Sequence, residues 1–350
     1  MSTSNTATKR LPFIDLMKGV CIVLIVTGHV DTGLFAALGE NADRMFQTFR
    51  VPMYYFISGV FFKHYGGFFD FTRKKVNNIL IPFAFFYVLA YVVQMLVHFL
   101  PATWQVYGEF KRGYIVQPLL YRYWNCNVPL WFLLSLFQVN ILYYLLQMVT
   151  SNRWLQVAVV MALAAGGYAL CAHHIKPAYY TDTALVGMPF FVLGSLMKSI
   201  SAQEPQRYDR WVGALFVPVL VAVYFLAGDI DIYSQVLPPY ILLYVLSSVA
   251  IVTLFFFCKL MSAVPGVNYL GRYSIVVLGT HYVYIPLVKA LVSWLTGTGG
   301  LALSLLTLAV VLALMFPTIA LFIRVFPRFT AQKPFFGPGW TLRSDPNSGK

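Results

Sequence analysis

The chain has 350 residues, 59% hydrophobic, 17% aromatic and only 11% charged, with a formal net charge of +13. A soluble domain carries about 25% charged residues, so this composition, at a mean hydropathy of +0.71, excludes an ordinary water-soluble enzyme. It indicates an all-α polytopic membrane protein, whose excess of Lys and Arg belongs with the positive-inside tendency rather than with nucleic acid, for which no motif is present.

Taken in order, apolar runs near the length needed to cross a bilayer predict about ten transmembrane helices. Their cores fall at 11–30, 46–62, 76–100, 128–149, 154–172, 184–198, 212–228, 237–258, 272–295 and 301–325. The polar Met1–Thr8 stretch lacks a following small-residue cleavage site, so the first helix is expected to stay uncleaved. With the N-terminus inside, the inner loops receive Lys9, Arg10, Lys63, Arg73, Lys74, Lys75, Arg153, Lys198 and most later basic residues. The outer loops receive only Arg44, Lys111, Arg112, Arg122 and Lys176, so both termini are expected in the cytoplasm. Residues 1–326 then form one membrane domain, and 327–350 a short basic, Pro/Gly-rich cytoplasmic tail.

The first helix carries Asp15, Lys18 and His29 inside its apolar run. At about 100° per residue, Lys18 and His29 return to within about 20° of each other, and Asp15 lies about 40° off on the other side. All three share one face. Ionisable groups at the bilayer centre cost at least about 2.5–3.5 kcal/mol each, so such a face is expected to line a bundle interior or a cavity. Snorkelling of Lys18 and a helix-capping His29 are the plainer explanations of each residue alone.

Arg50, Pro52, Tyr54 and the Ser58-Gly59 pair follow at the second helix, where Pro bends or starts a helix and Gly admits a neighbouring backbone. Arg73-Lys74-Lys75 stands at the expected entrance to the third helix, a setting that suits phosphate, topology anchoring or lipid headgroups. The long outer segment 101–127 is rich in Trp, Tyr and Arg and reads as an interfacial belt, or else as a lid or sugar-stacking surface. Asn125 and Asn127 before Pro129 suit a turn or sugar hydroxyls. Cys21, Cys126, Cys171 and Cys258 show no CxxC pairing, so neither a metal cluster nor a disulfide framework is expected.

Asp15-x-x-Lys18-Gly19, Gly28-His29, Pro52 through Ser58-Gly59 and a basic stretch ending at Pro82 resemble acyltransferase family 3. Val128-Pro129-Leu130-Trp131-Phe132-Leu133 and Gly271-x-x-Ser274, with His281 in the ninth helix, resemble the branch similar to fucose 4-O-acetylases. The resemblance implies a bacterial inner-membrane enzyme of roughly ten helices. It would pass an acyl group, usually acetyl, from cytoplasmic acetyl-CoA to a hydroxyl of a lipid-linked or exported polysaccharide. By position His29 would be the catalytic base, with Asp15 and Lys18 in the first-helix polar set. Arg73, Lys74 and Lys75 would hold the CoA phosphates, and Arg50, Tyr54, Ser58 and His281 would face substrate. Arg50 stands where relatives often carry His, which favours a more anionic acceptor. Arg73 is followed three later by Val76, not by the second arginine some members have. No soluble esterase domain is expected after the membrane domain. A proton-coupled transporter or flippase of a polysaccharide precursor is the competing expectation, because intramembrane Asp, Lys and His also make proton relays.

Overall fold

Apolar runs leave the backbone no partner in lipid but itself, so helix is the expected solution, and it is the one observed. The computed structural model describes residues 11–100, 106–107, 110–116, 122, 126–261 and 263–337. Among them there is no strand beyond one isolated bridge between Asp231 and Val236. The polar N-terminal stretch, most of the aromatic segment 101–127 (Asn125 included) and residues 338–350 lie outside the described residues.

Among the described residues, eight helices are long and apolar enough to cross a membrane. They are α1 (Pro12–Val30), α4 (Phe68–His98), α5 (Trp131–Val149, after a 3-10 turn at Val128–Leu130), α6 (Arg153–Ala172), α8 (Arg207–Leu226), α9 (Tyr240–Met261), α11 (Ser274–Thr296) and α12 (Gly300–Val325). The other two expected spans are short. Residues 46–62 are split into α2 (Ala42–Arg50) and α3 (Pro52–Val60), because Pro52 begins a new helix. Residues 184–198 correspond to α7 (Thr181–Leu196), 16 residues with Pro189 inside. A last short helix, α10 (Pro265–Arg272), precedes α11.

The short helices sit at the centre and cross at glycine. A Cβ at Gly59 would run into the Phe191 carbonyl of α7, and one at Gly194 into the Phe56 carbonyl of α3. Two backbones therefore touch where side chains would hold them apart. Gly19 and Gly271 do the same for α1 and α10, with Gly271 pressed on the Asp15 carbonyl. Outside this core the long helices turn Ile241, Phe225, Leu226, Leu295 and Leu305 outward, as lipid-facing helices do.

The bundle has a basic end, where α1 begins, and a far end, where α1 stops. A buried ion pair stands near each. Lys259 meets Asp209 at 2.8 Å toward the basic end, and Arg122 meets Asp182 at 2.5 Å toward the far end. Gln235 also donates to Asp182 (2.7 Å), and Arg122 donates to the Tyr233 carbonyl (3.0 Å). The far-end loop 229–236 is thereby tied down over the helix ends.

α4 departs from regular geometry. Residues Val76–Leu80 form a π-helix between two α-helical stretches, so α4 starts at Phe68, not after the basic triplet. The expected helix N-terminus behind Arg73–Lys75 is absent; these residues lie inside a continuous helix whose amides are already bonded. The segment after α12 folds back onto this π-turn. Asn77 Oδ1 accepts from the Phe335 and Phe336 amides (3.0 and 2.8 Å), and its Nδ2 donates to the Phe336 carbonyl (3.0 Å). Phe329 stacks on Phe85 at 4.9 Å between centroids, next to this clamp.

Candidate active site

The polar stripe of α1 opens onto an interior cavity of about 280 Å³. Lys18, Ile22, Ile25 and His29 line it from α1, with Tyr54, Ile57 and Ser58 from α3. Lys75, Asn78 and Ile79 enter from the π-turn region of α4, Trp131 and Phe132 from α5, and Ser274 from α11. Most of the wall is apolar, and its cations are Lys18 and Lys75. Lys18 lies over the Phe61 ring (5.9 Å) and the largely buried Lys75 over the Phe71 ring (5.2 Å). Tyr54 donates to the Lys18 carbonyl at 2.9 Å, pinning α3 to the polar face of α1. Ser58 accepts from Asn140 at 3.2 Å, whose amide also donates to the Leu136 carbonyl at 2.7 Å.

A second cavity, of about 240 Å³, lies toward the far end. Its wall includes Gly28, His29, Thr32, Gln47, Arg50, Trp131, Asp231 and Tyr233. Arg50 is not a free cation here: Asp43 meets it at 3.0 Å, and Asp231 shares the cavity. A Cβ at Gly28 would crowd the Arg50 guanidinium at 2.7 Å, so this glycine lets Arg50 lie against α1 one residue before His29. Loop 229–236 brings Asp231 in, and the Arg122–Asp182 pair holds that loop.

His29 belongs to both cavities, as do Ile25, Val51 and Trp131. It lies within the bundle, and its open surface belongs to these cavities. Behind it stand His281, 5.3 Å away between ring centroids, and Tyr282, at 5.6 Å. His281 is fully buried and lines neither cavity. Its Nδ1 is 2.7 Å from the Val277 carbonyl, which can only accept, so the proton is on Nδ1. That leaves Nε2 as a buried acceptor without a partner. The neighbouring His29 ring makes no hydrogen bond to it.

The sequence-derived site residues therefore separate. Lys18, Tyr54, Ser58 and Lys75 share the first cavity with His29, and Arg50 shares the second with it. Asp15 lines neither, and its turn of α1 packs on α10. The basic triplet splits three ways. Lys75 points inward, Lys74 is exposed, and Arg73 is held by Asp70 (2.8 Å) and the Gly337 carbonyl (3.1 Å). Asn127 is buried and donates to the Gly279 carbonyl (2.8 Å), which ties the start of α5 to α11. Gln47, Asn78, Asn140 and Asp231 carried no signal in the sequence, since single polar residues without a pattern do not announce a cavity. The four cysteine thiols are buried and free, and no group of His, Cys, Asp or Glu suited to a metal occurs among the described residues.

A profile described as an acyltransferase domain, that of acyltransferase family 3, matches residues 11–325. The chain belongs to acyltransferase family 3. No curated protein and no solved structure gives a significant match. Membership makes the chain a multi-pass membrane acyltransferase. In this acyltransferase the matched region spans every helix named above, from α1 to α12, and both cavities lie within it.

Proposed function

We propose that this acyltransferase moves an acyl group, acetyl by family expectation, from acyl-CoA at the basic end to a sugar hydroxyl at the far end. His29 is the general base, and the basic end faces the cytoplasm of a bacterial inner membrane. One observation carries the reading: a single histidine forms part of the wall common to two cavities that approach it from opposite ends of the bundle. A donor and an acceptor entering separately through these two cavities would meet at His29.

The walls suit these roles. The basic-end cavity offers apolar length for a thioester arm, with Lys75 and Lys18 supplying positive charge toward the donor's phosphates. The far cavity offers Trp131 and Tyr233 as faces for a sugar ring, and Gln47, Thr32 and Asp231 as hydroxyl partners. The acceptor oxygen attacks the thioester carbonyl carbon while His29 takes its proton. Collapse breaks the carbon–sulfur bond, and the thiolate leaves with the proton returned by His29. Ser58, held by Asn140, is the nearby hydroxyl suited to steady the oxyanion.

A positioned base contributes typically 10²–10⁴-fold, so His29→Ala should abolish measurable acyl transfer while the protein remains folded in the membrane. Normal acetyl content of the cell's surface polysaccharide in that variant would sink the assignment. The transporter or flippase expectation is tested in proteoliposomes: it requires sugar movement without acetyl-CoA turnover, and the present reading requires turnover.

A further inference from the structure

A third cavity, of about 480 Å³, opens at the basic end on the other side of α3 and α5 from the His29 site. Lys63 and His64 reach it from the segment after α3, Tyr143 and Gln147 from α5, Arg153 and Gln156 from the first turn of α6, and Ser195 and Lys198 from the end of α7. Three permanent cations therefore converge on it, and no carboxylate lines it. The aromatic contacts of Phe62 with Phe71 (5.4 Å) and Tyr143 (5.0 Å) stand between it and Lys75.

Topology explains basic residues at this end, but not their convergence. Lys198 does not extend freely to the surface; its ammonium donates to the Phe62 carbonyl at 2.7 Å, and Lys63 lies close enough to repel it. The floor is a closed polar network: Tyr143 and Ser195 share a hydrogen bond of 2.9 Å, and Gln156 donates to the Thr150 carbonyl at 2.7 Å. The α6 N-terminus, capped by Asn152, adds the positive end of a 20-residue helix. Like charges held around an open polar hollow are relieved by an anion.

We propose that this cavity is a phosphate-binding site separate from the transfer site, taking either the headgroup of an anionic lipid or a soluble phosphate. Basic hollows between membrane helices at headgroup depth have the chemistry for this. The site needs no participation of His29, so its occupancy and acyl transfer stand or fall separately.

The test uses the full-length protein, purified and delipidated. Phosphatidylglycerol is titrated against phosphatidylcholine with native mass spectrometry as the readout, and inorganic pyrophosphate is titrated by calorimetry. Each cation is expected to contribute roughly fivefold in affinity, so the triple variant Lys63→Gln/Arg153→Gln/Lys198→Gln should bind about a hundredfold more weakly. The control Arg210→Gln, an exposed cation elsewhere at the basic end, should bind as wild type. If the triple variant does not fold, Lys63→Gln/Arg153→Gln leaves the Lys198–Phe62 bond intact and should still lose over tenfold. Selective loss of phosphatidylglycerol identifies a lipid site, and selective loss of pyrophosphate a soluble one. Equal binding of both probes by wild type and variant overturns the proposal.

Discussion

The cavity on the Lys18 side of His29 and the cavity on its Arg50 side are similar in size but built from different materials. The first is walled by Ile, Phe and Tyr side chains of packed helices, with Lys18 and Lys75 as its cations. The second is partly closed by a loop and brings Gln47, Arg50 and Asp231 together, with Asp43 answering Arg50. Rigid helices suit a ligand that is the same in every turnover. A loop held by a few polar ties can change its lining at less cost to packing than helices can. Arg50 reaches this second cavity already paired with the Asp43 carboxylate.

This contrast can be broken from either side. The largest effect after loss of His29 itself is expected at the junction. His281→Ala removes an acceptor positioned behind His29 and should lower kcat about tenfold to a hundredfold with both KM values unchanged. His281→Gln, which keeps an acceptor in the core, should recover part of that loss; a change confined to KM would place His281 among the substrate contacts instead. Lys75→Met should raise KM for acetyl-CoA by about tenfold through loss of a charged partner, leaving acceptor KM alone. Asp231→Asn should do the reverse and more weakly, moving acceptor KM by about two- to tenfold in steady-state kinetics. If each variant shifted both KM values alike, the division into donor and acceptor cavities would fail.

The smallest effect concerns pH. Ser304 donates to Asp31 at 2.6 Å and the Gly33 amide donates at 2.8 Å, which together hold the Asp31 carboxyl below its ordinary value. A depressed carboxyl stabilises the fold above its unfolded pKa of about 3.9 and loses that contribution as pH falls through the folded value. Ser304→Ala should therefore lower the thermal midpoint slightly at pH 7, and the difference should vanish in acid.

The long helices were legible because lipid imposes one rule on every apolar run. The facing of Lys18 and His29 was legible from helical spacing, and both line one cavity. Asp15 obeyed the same spacing yet lines neither cavity, and its turn of α1 packs on α10, because periodicity fixes a direction and not what lies there. Lys75 and Arg73 parted because the π-turn beginning at Val76 and the returning tail are set by contacts more than 250 residues away in the chain. Asp231 was hidden for a like reason: its loop is brought to the site by partners distant in the chain, Arg44 on Asp229, Gln47 on the Ile230 amide, and the Arg122–Asp182 pair on Tyr233 and Gln235. Gly59 announced close packing but not its counterpart Gly194, which only the structure reveals.

The three-bond grip on Asn77 also has a consequence in time. Its partners, Phe335 and Phe336, are made 258 and 259 residues after it, when every helix of the bundle has already been synthesised. Synthesis proceeds from the N-terminus at about 5–20 residues per second, so α4 waits at least about ten seconds for the segment that braces its π-turn. During that interval the basic-end cavity has a wall with an unfastened hinge, and Asn77 must be satisfied by water or lipid headgroups. The cavity is thus completed by the chain's late-made residues, and truncated copies would carry the histidine without a finished wall around it.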